Sequence, residues 1–245
     1  MKFRLSIAAI FMASAMPVAA HAAISANLSG SYANFTSGGG DIWNVDGAVS
    51  DTFSNNWGGE VTGGYHNSSG DSGGNFGGAL FWYDPDFRAA VSGNYLSLGG
   101  AHISNYGVGG EWFASSQFTL AVRGGGDQAN GGLSGGYVGG DVKFYIMPNL
   151  ALNGGVDYVS FASAHFTTED IRAEWLISQT CPVSIFGGYT HLDAGSGGGG
   201  GTSEDAFFVG IKIYTNDPAG GALVDRQRGG NLGYIDGTPY LGSIL

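Results

Sequence analysis

The 28 residues Ser134–Phe161, SGGYVGGDVKFYIMPNLALNGGVDYVSF, constrain this chain more than any other stretch. Val138, Val142, Phe144 and Ile146 share one parity, while Tyr137, Asp141, Lys143 and Tyr145 share the other. A period of two marks a strand, because successive Cβ atoms point to opposite faces. Met147-Pro148-Asn149 interrupts the run as a turn, since Pro cannot donate to a ladder. Leu150, Leu152, Val156 and Tyr158 then alternate against Asn153 and Asp157. Each arm exceeds the ~9–11 residues of a tilted membrane-crossing strand. One face of this hairpin is greasy and the other is ionised. A water-soluble sandwich would turn the greasy face inward, and a membrane barrel would turn it outward.

The N-terminus selects between the two. Met1-Lys2-Phe3-Arg4 is a basic n-region, Leu5–Met16 an apolar core, and Ala20-His21-Ala22 a small-x-small cleavage site, so residues 1–22 are expected to be a cleaved signal peptide. The remaining chain of about 222 residues has no apolar run near the ~18–20 residues a helical span needs. Glycine accounts for 47 of 245 residues, charged residues for 12% and aromatics for 13%. The charge is about half that of an ordinary soluble domain, and the aromatic content is too high for a disordered chain. The lone Cys181 cannot staple a secreted fold. A formal charge of −11, or −13 once Lys2 and Arg4 leave with the signal, excludes nucleic acid as a natural partner.

Alternation places further strands at Ile24–Phe35, Trp43–Phe53, Trp57–Asn67, Gly74–Tyr83, Phe87–Leu98, Ala101–Ala114, Gln117–Gly126, His165–Ser178, Cys181–Leu192 and Ser203–Tyr214. With the hairpin this makes twelve, ten and fourteen being the neighbouring even counts. Short turns (Ser54–Asn56, Asp84–Asp86, Ser115-Ser116, Met147–Asn149, Gln179-Thr180) alternate with longer Gly/Ser/Asp-rich loops, among them Thr36–Asp41, Ser68–Gly73, Asp127–Leu133 and Asp193–Thr202. The expected fold is an all-β, antiparallel up-and-down transmembrane barrel over residues 23–214, sited in an outer membrane with both termini in the periplasm. Residues 215–245 are expected to be a periplasmic Gly-rich tail that could fold back at the barrel mouth.

On the polar parity lie Asp46, Glu60, Arg88, Glu111, Arg123, Asp141, Lys143, Asp157, Arg172, Glu174 and Lys212. These are expected to line the lumen, since a cation facing lipid near the midplane costs about 2–4 kcal/mol. Such mixed signs suit either an ion-paired lumen that stiffens the wall or a narrow pore. Trp43, Trp57, Trp82, Trp112 and Trp175 fall on the apolar parity near strand ends, where an aromatic girdle sits.

Several segments, Val45–Tyr65 (VDGAVSDTFSNNWGGEVTGGY), Gly78–Phe87 (GALFWYDPDF), Val108–Phe118 (VGGEWFASSQF), Gly139–Leu152 (GGDVKFYIMPNLAL) and Phe207–Tyr214, resemble the small porin-like outer-membrane barrels of alphaproteobacteria, and the tail motif LVDRQR has a counterpart there. The resemblance spans most of the chain after its leader and implies the barrel fold and an outer-membrane location. It implies no catalytic residues, because the likeness lies in strand–turn patterns. Most such barrels have no assigned function.

The expected partners are outer-membrane lipid and lipopolysaccharide, the barrel-assembly machinery, and small solutes. The expected role is a passive small-solute channel or an envelope-structural element. Two other classes compete with these. His66-Asn67-Ser68 has the H-x-S spacing of outer-membrane lipid hydrolases, but no orienting Asn stands at the expected later position, and parity turns His66 inward. Gly/Ser loops could instead serve adhesion or reception. No catalytic residue, cofactor or metal site is assigned: His102, His165 and His191 lack ligand spacing, and Asp41, Asp71, Asp127 and Asp193 read as solvated loop acids.

Overall fold

The computed structural model describes residues 24–37, 40–54, 56–68, 71–162, 164–196, 200–215, 221–229 and 232. The expected signal peptide, residues 1–22, lies outside them. Twelve strands follow in chain order: β1 (Ser25–Phe35), β2 (Asp41–Ser54), β3 (Trp57–Ser68), β4 (Asp71–Tyr83), β5 (Phe87–Leu98), β6 (Ala101–Ser115), β7 (Phe118–Ala129), β8 (Leu133–Met147), β9 (Leu150–Phe161), β10 (Ala164–Ser178), β11 (Cys181–Ser196) and β12 (Gly200–Tyr214). Each pairs antiparallel with its sequence neighbours. The sheet closes where β1 meets β12, from Asn27 opposite Tyr214 to Phe35 opposite Ala206. The barrel is thus a twelve-stranded, antiparallel, up-and-down one, and every strand has two partners.

We call the end where β1 begins and β12 finishes the proximal mouth, and the other the distal mouth. With twelve strands spaced ~4.8 Å and tilted ~40°, the backbone diameter is about 24 Å.

Side-chain polarity is inverted relative to a soluble protein. The outer surface exposes Val122, Val138, Val142, Leu152, Val156, Val209 and Ile211, while Arg88, Glu111, Arg123 and Asp157 are buried within. Trp43 stands at the distal end of β2, and Trp57, Trp82, Trp112 and Trp175 near the proximal ends of their strands, all on the outer parity. Trp57 and Trp82 are register partners.

The distal connections are shorter than expected. β7 runs to Ala129, β8 starts at Leu133, β11 reaches Ser196 and β12 begins at Gly200. Asp41, Asp71, Asp127 and Asp193 are therefore strand residues, not loop acids. Glycine obscured these ends: it has no side chain to alternate, yet it pairs through its backbone like any other residue.

Glycine also shapes the wall. Tyr137 lies across Gly125 and Gly107 of the next two strands, Phe208 across Gly188, and Phe186 across Gly210. A ring laid over a glycine covers bare backbone and keeps the ring close to the sheet. At Gly125 an added Cβ would collide with the Tyr106 carbonyl and the Gly107 Cα, which are backbone atoms with no room to yield. At Gly93 the only neighbour is the Asn105 carbonyl at 3.6 Å, an ordinary contact. Gly125→Ala is therefore expected to destabilise the barrel by about 1–3 kcal/mol. Gly93→Ala should be neutral or stabilise it by up to about 1 kcal/mol through the lost glycine entropy. Urea unfolding midpoints of the two variants check the contrast.

Candidate functional site

The register puts all eleven expected lumen charges on the inner parity. They organise into sets. Arg88 on β5 faces Glu111 on β6 in register, and its Nε donates to Glu111 Oε2 at 2.7 Å. The guanidinium also lies 5.7 Å from the Phe81 and Phe113 ring centres, so an aromatic clamp holds the pair. Arg123 on β7 bridges two strands, donating from Nε to Asp157 Oδ1 on β9 at 2.8 Å and from Nη1 to Asp141 Oδ2 on β8. One cation thereby joins two acids through charge-assisted bonds. Arg172 stacks over Phe186 at 5.8 Å, and Lys212 over Tyr214 at 5.4 Å. Glu174 accepts from Ser184 Oγ at 2.6 Å and from the Tyr214 hydroxyl.

Two further inner acids are added by the structure. Asp127 is buried on β7, and its carboxylate oxygens have no hydrogen-bond partner among the described residues. Asp170 on β10 leans over Gly155 from one side while Asp141 leans over it from the other. Between the two rims the described inner charges are therefore eight acids (Asp46, Glu60, Glu111, Asp127, Asp141, Asp157, Asp170, Glu174) and five bases (Arg88, Arg123, Lys143, Arg172, Lys212). Towards the distal mouth an apolar group, Leu96, Ile103, Tyr137, Val159, Phe161 and Phe166, lines part of the wall.

The proximal mouth is occupied. Among the described residues beyond β12, Leu223–Arg228 forms a short helix, α1. Asp225 in its first turn and Arg226 and Arg228 in its last suit the helix dipole, and Gly229 ends it. Six residues cannot sustain a helix alone, so packing holds it. The Leu223 amide donates to the Pro148 carbonyl at 2.7 Å, and its side chain packs with Tyr145, Ala151, Leu176 and Tyr214. Arg226 donates to the Gln179 carbonyl at 3.0 Å. Gln227 accepts from the Tyr145 hydroxyl at 2.9 Å and donates to Glu174 Oε2 at 3.0 Å. Arg228 donates to the carbonyls of Ser115 (2.6 Å) and Phe118 (2.7 Å) and to Thr119 Oγ1 (3.0 Å). Leu232 is fully buried against Phe81, Ala90 and Ala121, and its amide donates to Glu60 Oε2 at 2.9 Å.

Leu223 thus rests on Leu176 of β10 and Leu232 on Phe81 of β4, six strands apart in a ring of twelve. Half of the ring separates these two seats. The segment crosses from one wall to the other.

The hydrolase reading meets a different geometry. His66 is buried inside the barrel, and its Nδ1 lies 2.9 Å from Asn44 Oδ1, on the preceding strand instead of a following one. Its Nε2 has no hydrogen-bond partner, so Ser68 does not engage it. The other histidines are not isolated either. His102 stacks on Tyr95 at 5.7 Å, His165 on Tyr158 at 6.3 Å, and His191 sits between Asp205 (2.6 Å) and Asp193 (3.3 Å). No group of three His, Cys, Asp or Glu residues among the described ones is placed to hold a metal.

These features define a closed barrel with a charged inner face, and the solved structures whose fold it resembles include two porins. The NanC porin superposes with a TM-score of 0.59 at 13% identity, covering 77% of this chain and 98% of that one. The KdgM porin superposes with a TM-score of 0.57 at 10% identity, covering 76% and 98%, and was also solved in complex with disordered oligogalacturonate. No family model matches the sequence, and no curated protein does. At this identity the likeness is one of fold.

Arg123→Ala leaves Asp141 and Asp157 facing each other without their cation. It should cost about 3–5 kcal/mol of barrel stability. Arg123→Leu combined with Asp141→Asn and Asp157→Asn should recover most of that loss. Urea unfolding of the two proteins tests the difference.

Proposed function

We propose that this chain is a porin-like outer-membrane barrel that serves as a passive route for small solutes, akin to the small alphaproteobacterial barrels whose strand–turn segments it resembles. The observation that carries this reading is the inverted polarity. An outer face rich in exposed valine, isoleucine and leucine surrounds an inner face on which Glu60, Arg88, Glu111, Arg123, Asp157 and Glu174 are buried. A closed sheet leaves no backbone edge unsatisfied in lipid. On this reading the proximal mouth is periplasmic, the distal mouth opens at the cell surface, and residues 215–245 begin in the periplasm.

The acid excess bears on the solute. Eight inner acids against five bases favour cations and neutral molecules over polyanions such as the oligogalacturonate held by the KdgM porin. The second reading, an envelope-structural barrel, draws on the ion-paired wall and the occupied mouth. The hydrolase reading lacks a nucleophile engaged by its base. The adhesion reading has only short distal connections to work with.

The passage reading is checked in planar bilayers with two proteins, the full chain and a chain ending at Thr215. Unitary steps are expected from at least one of them. Under a salt gradient their reversal potential should carry the sign of cation preference. Silence from both leaves the structural reading in its place.

A further inference from the structure

We infer that residues 221–229, together with Leu232, are a resident plug: they hold the periplasmic end of the lumen shut, and they must withdraw before a solute passes. This rests on the passage reading above and adds to it the element that regulates passage.

Three observations carry the inference. The first is where the segment is attached. Leu223 bonds Pro148 between β8 and β9, Arg226 bonds Gln179 between β10 and β11, Arg228 bonds Ser115 and Phe118 at the β6–β7 turn, and Leu232 bonds Glu60 on β3. A tail that merely rested against the barrel would touch one arc of the rim. This one is tied to opposite arcs, with Leu223 and Leu232 fully buried at its two ends.

The second is what it is attached to. Glu174 and Glu60 are inner-wall acids, and each gives a carboxylate oxygen to the segment, to Gln227 and to the Leu232 amide. Arg228 lies 4.9 Å from the Phe113 ring centre and 5.5 Å from that of Tyr145, both inner residues. The wall at this level is built around the segment.

The third is how it can leave. The segment follows β12 and its described residues contribute no strand, so their departure breaks no ladder bond. Thr215, which bonds Ala26 of β1, stays behind. Its helix is one and a half turns long and unstable alone. The wall groups it releases, carbonyls, a tyrosine hydroxyl and carboxylates, are ones that water can satisfy in an open lumen. Such a unit opens locally at far lower cost than the barrel itself.

The experiment compares the full chain with a chain ending at Thr215. Both are first shown to be folded barrels by their heat-modifiable electrophoretic mobility. In planar bilayers the full chain is expected to be shut for most of the record, and the shortened chain to show at least a tenfold higher open probability. A full-length variant, Gln227→Ala with Leu232→Asp, should move in the same direction without any truncation. A synthetic peptide of residues 216–245, added at the periplasmic side, should block the shortened chain in a dose-dependent way, and a scrambled peptide should not. Equal conductance from full and shortened chains overturns the plug while leaving the passage reading intact. Silence from both overturns the two together.

Discussion

Closure between β1 and β12 is the constraint on which the rest depends. Without it two edge strands would present bare amides and carbonyls, which neither lipid nor a neighbouring chain could leave unpaired at low cost. With it the sheet acquires an inside and an outside, and the alternation of each strand becomes meaningful. Val142 and Lys143 are adjacent in the chain but lie on opposite faces of the wall. The lumen charges, the outer tryptophans and the occupied mouth all presuppose that the ring is shut.

Once closed, the inside must be filled or crossed. The barrel does this with charge placed next to glycine. Asp157 lies over Gly139, and Asp141 and Asp170 share the space over Gly155. Aromatic rings use the same device higher and lower in the wall. Ion pairs such as Arg88–Glu111 then tie neighbouring strands through side chains as well as backbone. A buried pair adds little net stability over an apolar substitute. What it supplies is a fixed arrangement of charge along the bore.

Much of this was legible in the sequence, because a side-chain period of two survives translation into structure. Strand number and the single parity shared by Asp46 through Lys212 follow from alternation, whereas which parity turns inward was argued from the leader-like N-terminus. What escaped the reading did so for identifiable reasons. Asp127 follows Gly124, Gly125 and Gly126, and three residues without side chains cannot carry parity across to it. Asp170 adjoins Glu169, so the pattern is polar on both faces. The His66–Asn44 contact depends on register between strands, which no single strand encodes. The helix Leu223–Arg228 is too short for a helical period to show, and its one sequence signal is the pairing of Leu223 with Arg226 on the buried side.

The crossing of the mouth also implies an order of events during assembly. Leu176 and Phe81 stand on opposite walls only after the ring has formed, so the segment that touches both has no complete seat on an open sheet. A complete seat for it therefore exists only after closure, and a barrel halted before its final seam would display that segment to proteases.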